Sequence, residues 1–292
     1  MAIDQLQEKI RKQKNPCMVD FTVAKEHIPA HILTQERDFT HAYGRFCLEL
    51  LEGLAGMLPG VRFSFACFAA LGSEGLILLT KLLDSAKNLG YYVLLDMPEA
   101  LSALAAGHIA QRVNSEDSPW YCDGILTSAY IGTDAIHSYL SCMENNQKDL
   151  FVVLRTSNRT APQLQDLLTG GRLAYMSMAD QLNRLADKLV TRCGYSRLAA
   201  VGAASSVDCL RALRTKHKTM FLLLDGSDYP NANMKNCSAA FDQLRRGAVA
   251  CVGLSVTAAW QTEGTDGTDY VEAACRSVDR IKKNLSRYIT VL

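Results

Sequence analysis

Eight short apolar segments recur along the chain and constrain its fold more than any other feature of the sequence. Each is four to six residues long and is separated from the next by a longer stretch. Runs of this length are typical of strands that are buried on both faces of a parallel sheet. The predicted strands are residues 17–21, 61–65, 91–95, 124–127, 150–154, 198–201, 219–224 and 248–253.

The stretches between these strands carry apolar residues at three- and four-residue spacing, as in 46–57, 74–89 and 271–285. This spacing predicts helices that pack one face on a sheet. Alternation of eight strands with helices predicts an α/β fold, a closed (β/α)8 TIM barrel. With 292 residues and no Pro/Gly/Ser-rich linker, we expect a single domain over residues 1–292, with residues 1–14 as an N-terminal helix or arm.

Charge and cysteine usage narrow the classes of function. The 31 basic and 30 acidic residues leave a net charge of +1, which offers no long-range field for nucleic acid or anionic lipid. No apolar run approaches the roughly 18 residues of a membrane span, and the polar N-terminus does not resemble a signal peptide. We therefore expect a cytoplasmic protein that binds neither nucleic acid nor membrane.

Ten cysteines without a C-x-x-C pair or a Cys/His cluster predict reduced structural thiols and no metal site.

The segment at residues 91–101, YYVLLDMPEAL, ends its apolar run in Asp96. A carboxylate at the C-terminal end of a buried strand lies where (β/α)8 barrels place catalytic groups. The segment resembles the strand of the orotidine 5'-monophosphate decarboxylase family that ends in D-x-K-x-x-D, with Asp96 at the first aspartate. Pro98 stands at the lysine position and Leu101 at the second aspartate, so the proton donor of that family is replaced.

Further segments resemble the longer, bacterial branch of the same family and follow in its order. Arg62 lies at the position of a second family lysine. Thr156 and Ser157 match residues that contact the pyrimidine ring in the family, and Gln165 is also kept. The resemblance implies a TIM barrel, a cofactor-independent carboxy-lyase of pyrimidine biosynthesis, and a homodimer. The segments are residues 61–75, 123–134, 154–165 and 201–214.

Departures from the family concentrate where its nucleotide would bind. Residues 224–230 read LDGSDYP, including Tyr229, where the family has a glycine-rich phosphate loop. Leu254 replaces its phosphate-binding arginine, and Thr22 its ribose-binding aspartate, although Asp20 lies nearby. The two aspartates of the LDGSDYP loop would repel a phosphate. We therefore expect a degenerate active site without phosphate binding.

Asp20, Arg62 and Asp96 fall near the ends of the first three predicted strands, and Arg62 with Asp96 forms the candidate catalytic array in degenerate form. The group is either a remodelled pocket for a different small molecule or an internal ion pair that fills the barrel. We favour a pair between Arg62 and Asp96, because buried charges are tolerated only when they are paired. The candidate ligand-binding residues are Asp20, Thr22, Thr156, Ser157, Gln165 and Tyr229. Residues 156–158 equally suit a capping role for the next helix.

Two classes of function compete. The first is a non-catalytic paralogue with a binding or regulatory role, acting as a homodimer or as a heterodimer with an active decarboxylase. The second is an enzyme, either a weak decarboxylase or one with altered chemistry at the same barrel mouth. Replacement of the proton donor and of the phosphate-binding residues favours the first class. We expect no cofactor in either case, and a small molecule at the barrel mouth as the ligand.

Overall fold

Eight parallel strands close into the barrel that the sequence predicts. The computed structural model describes residues 2–97, 102–115, 117–129, 132–143 and 148–289. The strands lie in the order β1-β8-β7-β6-β5-β4-β3-β2 around the barrel, and every neighbouring pair is parallel. Their bounds differ by at most three residues from the predicted ones. The strands are β1 (Cys17–Asp20), β2 (Gly60–Ser64), β3 (Tyr92–Asp96), β4 (Gly124–Ser128), β5 (Asp149–Val153), β6 (Leu198–Ala203), β7 (Leu222–Asp225) and β8 (Ala248–Val252).

Helices connect the strands and cover the outside of the barrel. Within the described part of the chain, no helix is both long enough and apolar enough to cross a membrane. The helices are α1 (Ala2–Gln13), α2 (Ala30–Gln35), α3 (Phe39–Gly53), α4 (Phe65–Ala69), α5 (Gly72–Asn88), α6 (Ala103–Asn114), α7 (Thr133–Met143), α8 (Ala174–Ala186), α9 (Val207–Lys216), α10 (Met234–Cys237), α11 (Leu254–Thr257), α12 (Ala259–Glu263) and α13 (Tyr270–Ser286). Short 3-10 turns lie at Lys25–His27, Ala161–Gln163, Asp187–Leu189 and Ser238–Ala240, and a hairpin pairs Leu168–Thr169 with Arg172–Leu173.

The predicted helix at residues 46–57 is displaced in the structure, where α3 begins at Phe39 and ends at Gly53. The Asp38 side chain accepts a hydrogen bond from the backbone N–H of His41 at 3.0 Å and so starts the helix. The spacing of apolar residues does not indicate where a capping side chain of this kind starts a helix. The predictions at 74–89 and 271–285 agree with α5 and α13 to within two residues.

Helix α1 lies across the amino end of the barrel. It buries Ile3, Leu6 and Ile10. The Gln7 side chain accepts a hydrogen bond at 3.1 Å from the backbone N–H of Gly247, the residue just before β8. The polar N-terminal segment is therefore an amphipathic helix that covers the barrel base.

Aromatic side chains fill the amino half of the barrel. The ring centroid of Phe151 lies 6.5 Å from that of Tyr92 and 6.3 Å from that of Phe221, both in edge-to-face geometry. The Tyr92 hydroxyl donates to Asp149 Oδ2 at 2.8 Å, and burial raises the pKa of that carboxyl well above its usual value. Side chains therefore fill the amino end of the barrel, and the open space lies at its carboxyl end.

Replacing Gly124 by alanine is expected to destabilise the barrel, because the added Cβ would lie 2.5 Å from the Tyr92 hydroxyl oxygen. Tyr92 would have to leave its hydrogen bond to Asp149, and overpacking of a core costs about 1–3 kcal/mol. Urea unfolding measures the loss. The control is Gly107→Ala in α6, where the added Cβ meets only Ser138 Cβ at 4.0 Å. Since alanine favours a helix over glycine by about 1 kcal/mol, an equal loss in both variants would contradict the packing argument.

Candidate functional site

A polar cavity of about 690 Å³ opens at the carboxyl end of the barrel. The mouth is thus open and charged rather than filled by apolar side chains. This is the end at which (β/α)8 barrels carry their active sites, so the cavity is the candidate functional site. Its charged lining residues are Asp20, Arg62, Asp96, Asp225 and Asp228, and other lining residues include Thr22, His27, Ser64, Tyr229, Leu254, Ser255 and Gln261.

Arg62 lies at the centre of this charged lining, with 14% of its side chain exposed. Its Nη2 donates to Asp96 Oδ2 at 3.0 Å, so the ion pair predicted from the sequence is present. Nη1 donates to Asp225 Oδ1 at 3.4 Å, and Nε lies 3.7 Å from Asp20 Oδ2. One guanidinium therefore holds three carboxylates.

The barrel geometry brings these four side chains together. Asp20 is the last residue of β1 and pairs in register with Arg62 on β2. Asp96 and Asp225 are the last residues of β3 and β7. Because β7 is not a neighbour of β2, the contact between Arg62 and Asp225 crosses the inside of the barrel.

Burial and neighbouring charges both shift the pKa values of Asp96 and Arg62. Burial raises the pKa of Asp96, the Arg62 guanidinium lowers it, and the carboxylates of Asp20 and Asp225 raise it again, with a net rise. Burial would lower the pKa of Arg62, but the surrounding carboxylates raise it well above its usual value. Arg62 is therefore a fixed positive charge, and Asp96 holds a proton more readily than an ordinary aspartate.

Comparisons with known proteins agree with the resemblance that the sequence motifs indicate. No family model matches the chain. The chain is 28% identical over 213 residues to an orotidine 5'-phosphate decarboxylase of Rhodopirellula baltica, covering 71% of this chain and 70% of that one. It is 26% identical over 288 residues to the orotidine 5'-phosphate decarboxylase of Clostridium kluyveri, covering 98% and 97%.

Solved structures agree as well. The orotidine monophosphate decarboxylase of Leishmania donovani matches with a TM-score of 0.72 and 20% identity, and that of Plasmodium berghei with 0.76 and 14%. Each match covers 97% of this chain and 99% of the other. In sequence and in fold, the chain resembles the orotidine 5'-phosphate decarboxylases. The resemblance noted in the motifs is confirmed, and the structural matches confirm the (β/α)8 fold.

In this decarboxylase-like barrel, a carboxylate of the chain itself binds the loop that follows β8. Asp228 Oδ2 accepts hydrogen bonds from the backbone N–H groups of Gly253 at 2.8 Å and Ser255 at 3.0 Å. Leu254, at the position of the family arginine, is 44% exposed and carries no charge. The backbone N–H groups of Gly253 and Ser255 are therefore already hydrogen-bonded within the protein.

Three of the predicted ligand-binding residues bind other protein groups instead of lining the cavity. Gln165 Oε1 accepts from the backbone N–H of Thr156 at 2.9 Å and so closes the loop after β5. Ser157 donates through its backbone N–H to Asp225 Oδ2 at 3.2 Å and through its hydroxyl to the Asp225 carbonyl at 2.5 Å. In the described structure these residues fix a loop and orient Asp225, and they do not cap a helix.

The other three predicted ligand-binding residues do line the cavity. Asp20 Oδ1 accepts from the backbone N–H of Thr22 at 3.0 Å and from its hydroxyl at 2.8 Å. Tyr229 lies on the wall with 47% of its surface exposed. Pro98 and Leu101, which replace the family lysine and aspartate, lie outside the described residues.

The sequence analysis missed Asp225 as a partner of Arg62. Its signal was nevertheless present, because Asp225 ends the apolar run FLLLD much as Asp96 ends the run VLLD. Both carboxylates are thereby placed at the C-terminal edge of a buried strand. His27 and Gln261 also line the cavity, from loops that carry no recognisable pattern.

Replacing Arg62 by methionine is expected to destabilise the protein by about 3–5 kcal/mol at pH 8, because it leaves buried carboxylates without their counter-charge. The loss should be smaller at pH 5. The pKa of Asp96 is already raised, and removing the guanidinium raises it further, so the protonated form stabilises the fold at low pH and this contribution is lost as pH rises. Denaturant unfolding at both pH values measures the difference.

The control for this variant is Arg211→Met, which removes an arginine that is 64% exposed and paired only at the surface with Asp208. Its unfolding free energy should stay close to that of the wild type. A loss in Arg62→Met that does not depend on pH would contradict the electrostatic origin.

Proposed function

We propose that the chain is a non-catalytic relative of the orotidine 5'-phosphate decarboxylases, which binds a small molecule at the barrel mouth in a binding or regulatory role. The observation that carries the proposal is Arg62 held by Asp20, Asp96 and Asp225. A permanently charged guanidinium paired on three sides stands at the position of the second family lysine, and Pro98 stands at the position of the proton-donor lysine.

Proton transfer to carbon requires an acid that holds its proton near neutral pH and then releases it. Arginine does not deprotonate in proteins, and the three carboxylates raise the pKa of Arg62 further. The sequence contains no lysine between Lys87 and Lys148, a stretch that includes β3, β4 and the segments after them. No ammonium group from these segments can therefore serve as the proton donor.

The loops after β7 and β8, which correspond to the phosphate-binding loops of the decarboxylases, support the same proposal. Enzymes use the binding energy of remote groups, such as a phosphate, to stabilise the transition state. Here Asp228 already accepts the hydrogen bonds of Gly253 and Ser255, and its negative charge would repel a phosphate. Leu254 supplies no guanidinium to replace that binding energy.

The competing hypothesis is a weak decarboxylase or an enzyme with altered chemistry. It is favoured by the curated relatives, which are named as decarboxylases, and by the open cavity of about 690 Å³. Asp96, with its raised pKa, would be the acid in such a reaction. The two hypotheses differ in whether the purified protein turns over orotidine monophosphate.

We also propose that the chain forms a dimer, with a second copy or with an active decarboxylase, as the resemblance implies. Three exposed leucines, Leu164, Leu167 and Leu168, lie in the loop after β5 at the carboxyl end of the barrel. Apolar surface of this kind is suited to a partner. Sedimentation velocity of the purified chain, alone and with an active decarboxylase, should show a dimer in at least one case, and a monomer in both would contradict the proposal.

The purified protein is expected not to decarboxylate orotidine monophosphate. An absorbance assay that follows loss of the orotate ring measures this, with protein freed from the decarboxylase of the expression host. Turnover above about one per second, within the ordinary range of enzymes, would overturn the proposal. Asp96→Asn serves as a control, because residual turnover that is the same in this variant comes from a contaminant.

Calorimetric titration with uridine monophosphate tests the loss of the phosphate site in the same preparation. We expect a dissociation constant weaker than about 1 mM, equivalent to about −4 kcal/mol of binding free energy. Binding in the micromolar range would show that the loops after β7 and β8 still accept a phosphate.

A further inference from the structure

Four carboxylates and one guanidinium form the charged lining of the cavity at the barrel mouth, so among the described residues the lining carries more negative than positive charge. The side chains of Asp20, Asp96 and Asp225 are 19%, 24% and 19% exposed, compared with 14% for Arg62. Among the described residues, none donates a hydrogen bond to Asp96 Oδ1, since Arg62 binds only Oδ2. A molecule that enters the cavity therefore has carboxylate oxygens within its reach.

An apolar wall adjoins this acidic floor. Tyr229 and Leu254 line the same cavity and are 47% and 44% exposed. The Tyr229 ring packs against the backbone of Gly226, where an added Cβ would lie 2.9 Å from the ring, so the ring is held in place. The face of a tyrosine ring attracts a cation, and its edge contacts apolar groups.

We infer that the barrel mouth binds a small organic ammonium ion that carries an apolar group. This rests on the proposed function, since it names the ligand class of the same cavity. The ammonium group donates a hydrogen bond to Asp96 Oδ1 and lies close to the carboxylates of Asp20 and Asp225, and the apolar group lies against Tyr229 and Leu254. The cavity volume of about 690 Å³ is within the range of small-molecule sites.

A metal ion suits the cavity less well than an organic cation. Among the described residues, the group of metal-binding side chains whose ligand atoms lie within 4.8 Å of one another is Asp38, His41 and Glu74, outside the cavity lining. The carboxylates of the mouth surround a guanidinium and do not converge in this way. Even at the outer group, Arg37 donates to all three side chains, at 3.0, 3.1 and 3.3 Å, and already supplies the positive charge.

Calorimetric titration at pH 7 with benzylammonium chloride and with benzyl alcohol, which has the same ring and no charge, tests the inference. We expect the ammonium ion to bind at least about tenfold more tightly than the alcohol, because the carboxylates favour only the charged compound. Magnesium chloride is titrated in parallel. Equal binding of the two organic compounds, or displacement of benzylammonium by magnesium at equimolar concentration, would overturn the inference.

Leu254→Arg places a positive charge on the rim at an exposed position and should weaken benzylammonium binding about tenfold through like-charge repulsion. The matched control is Leu244→Arg, which adds the same charge at a leucine that is 54% exposed and precedes β8 at the opposite end of the barrel. This variant should bind benzylammonium as the wild type does. Tyr229→Leu, which keeps every charge, should weaken binding about threefold or more by removal of the ring.

The outcomes separate the ligand class from the proposed function. If neither benzylammonium nor uridine monophosphate binds, the inference fails while the non-catalytic function stands. If uridine monophosphate binds in the micromolar range, the loss of the phosphate site is wrong and the inference fails with it, while the turnover assay decides the non-catalytic function separately. Equal weakening by Leu254→Arg and Leu244→Arg would show that benzylammonium binds elsewhere, which also overturns the inference.

Discussion

The guanidinium of Arg62 is the interaction on which the carboxyl end of this barrel depends. It joins the ends of four strands, β1, β2, β3 and β7, through Asp20, Asp96 and Asp225. Without this charge, three carboxylates would face one another in a partly buried space, where repulsion is weakly screened. The same guanidinium does not release a proton, so the group that joins these strand ends is a fixed positive charge.

The two ends of the barrel differ in the side chains that they contain. At the amino end, helix α1 and the rings of Tyr92, Phe151 and Phe221 form a closed core. At the carboxyl end, charged side chains surround an open cavity. This division is general in (β/α)8 barrels, because the strands supply a rigid base and the loops after them are free to vary. Here the fold matches that of the solved decarboxylases, while the loops after β7 and β8 differ from the motifs with which the sequence was compared.

Groups of the chain itself take up several hydrogen bonds at the barrel mouth. Asp228 binds the backbone amides of Gly253 and Ser255, and Ser157 binds Asp225. Buried polar groups require partners, and here other groups of the chain supply them. These internal hydrogen bonds hold the loops after β5, β7 and β8 in place.

The sequence by itself determined the eight strands, the barrel and the pairing of Arg62 with Asp96, because apolar runs of strand length and a carboxylate at a strand end are local patterns. It also identified the decarboxylase-like segments. It did not determine that Asp225 joins Arg62, since these residues are 163 positions apart and meet only when the barrel closes. The start of α3 at Phe39 and the binding of the β8 loop by Asp228 likewise depend on side-chain hydrogen bonds that leave no periodic signal. The cap of α3 is a local contact, but tertiary structure alone decided the contacts of Asp225 and Asp228, because they depend on which strand ends and loops meet when the barrel closes.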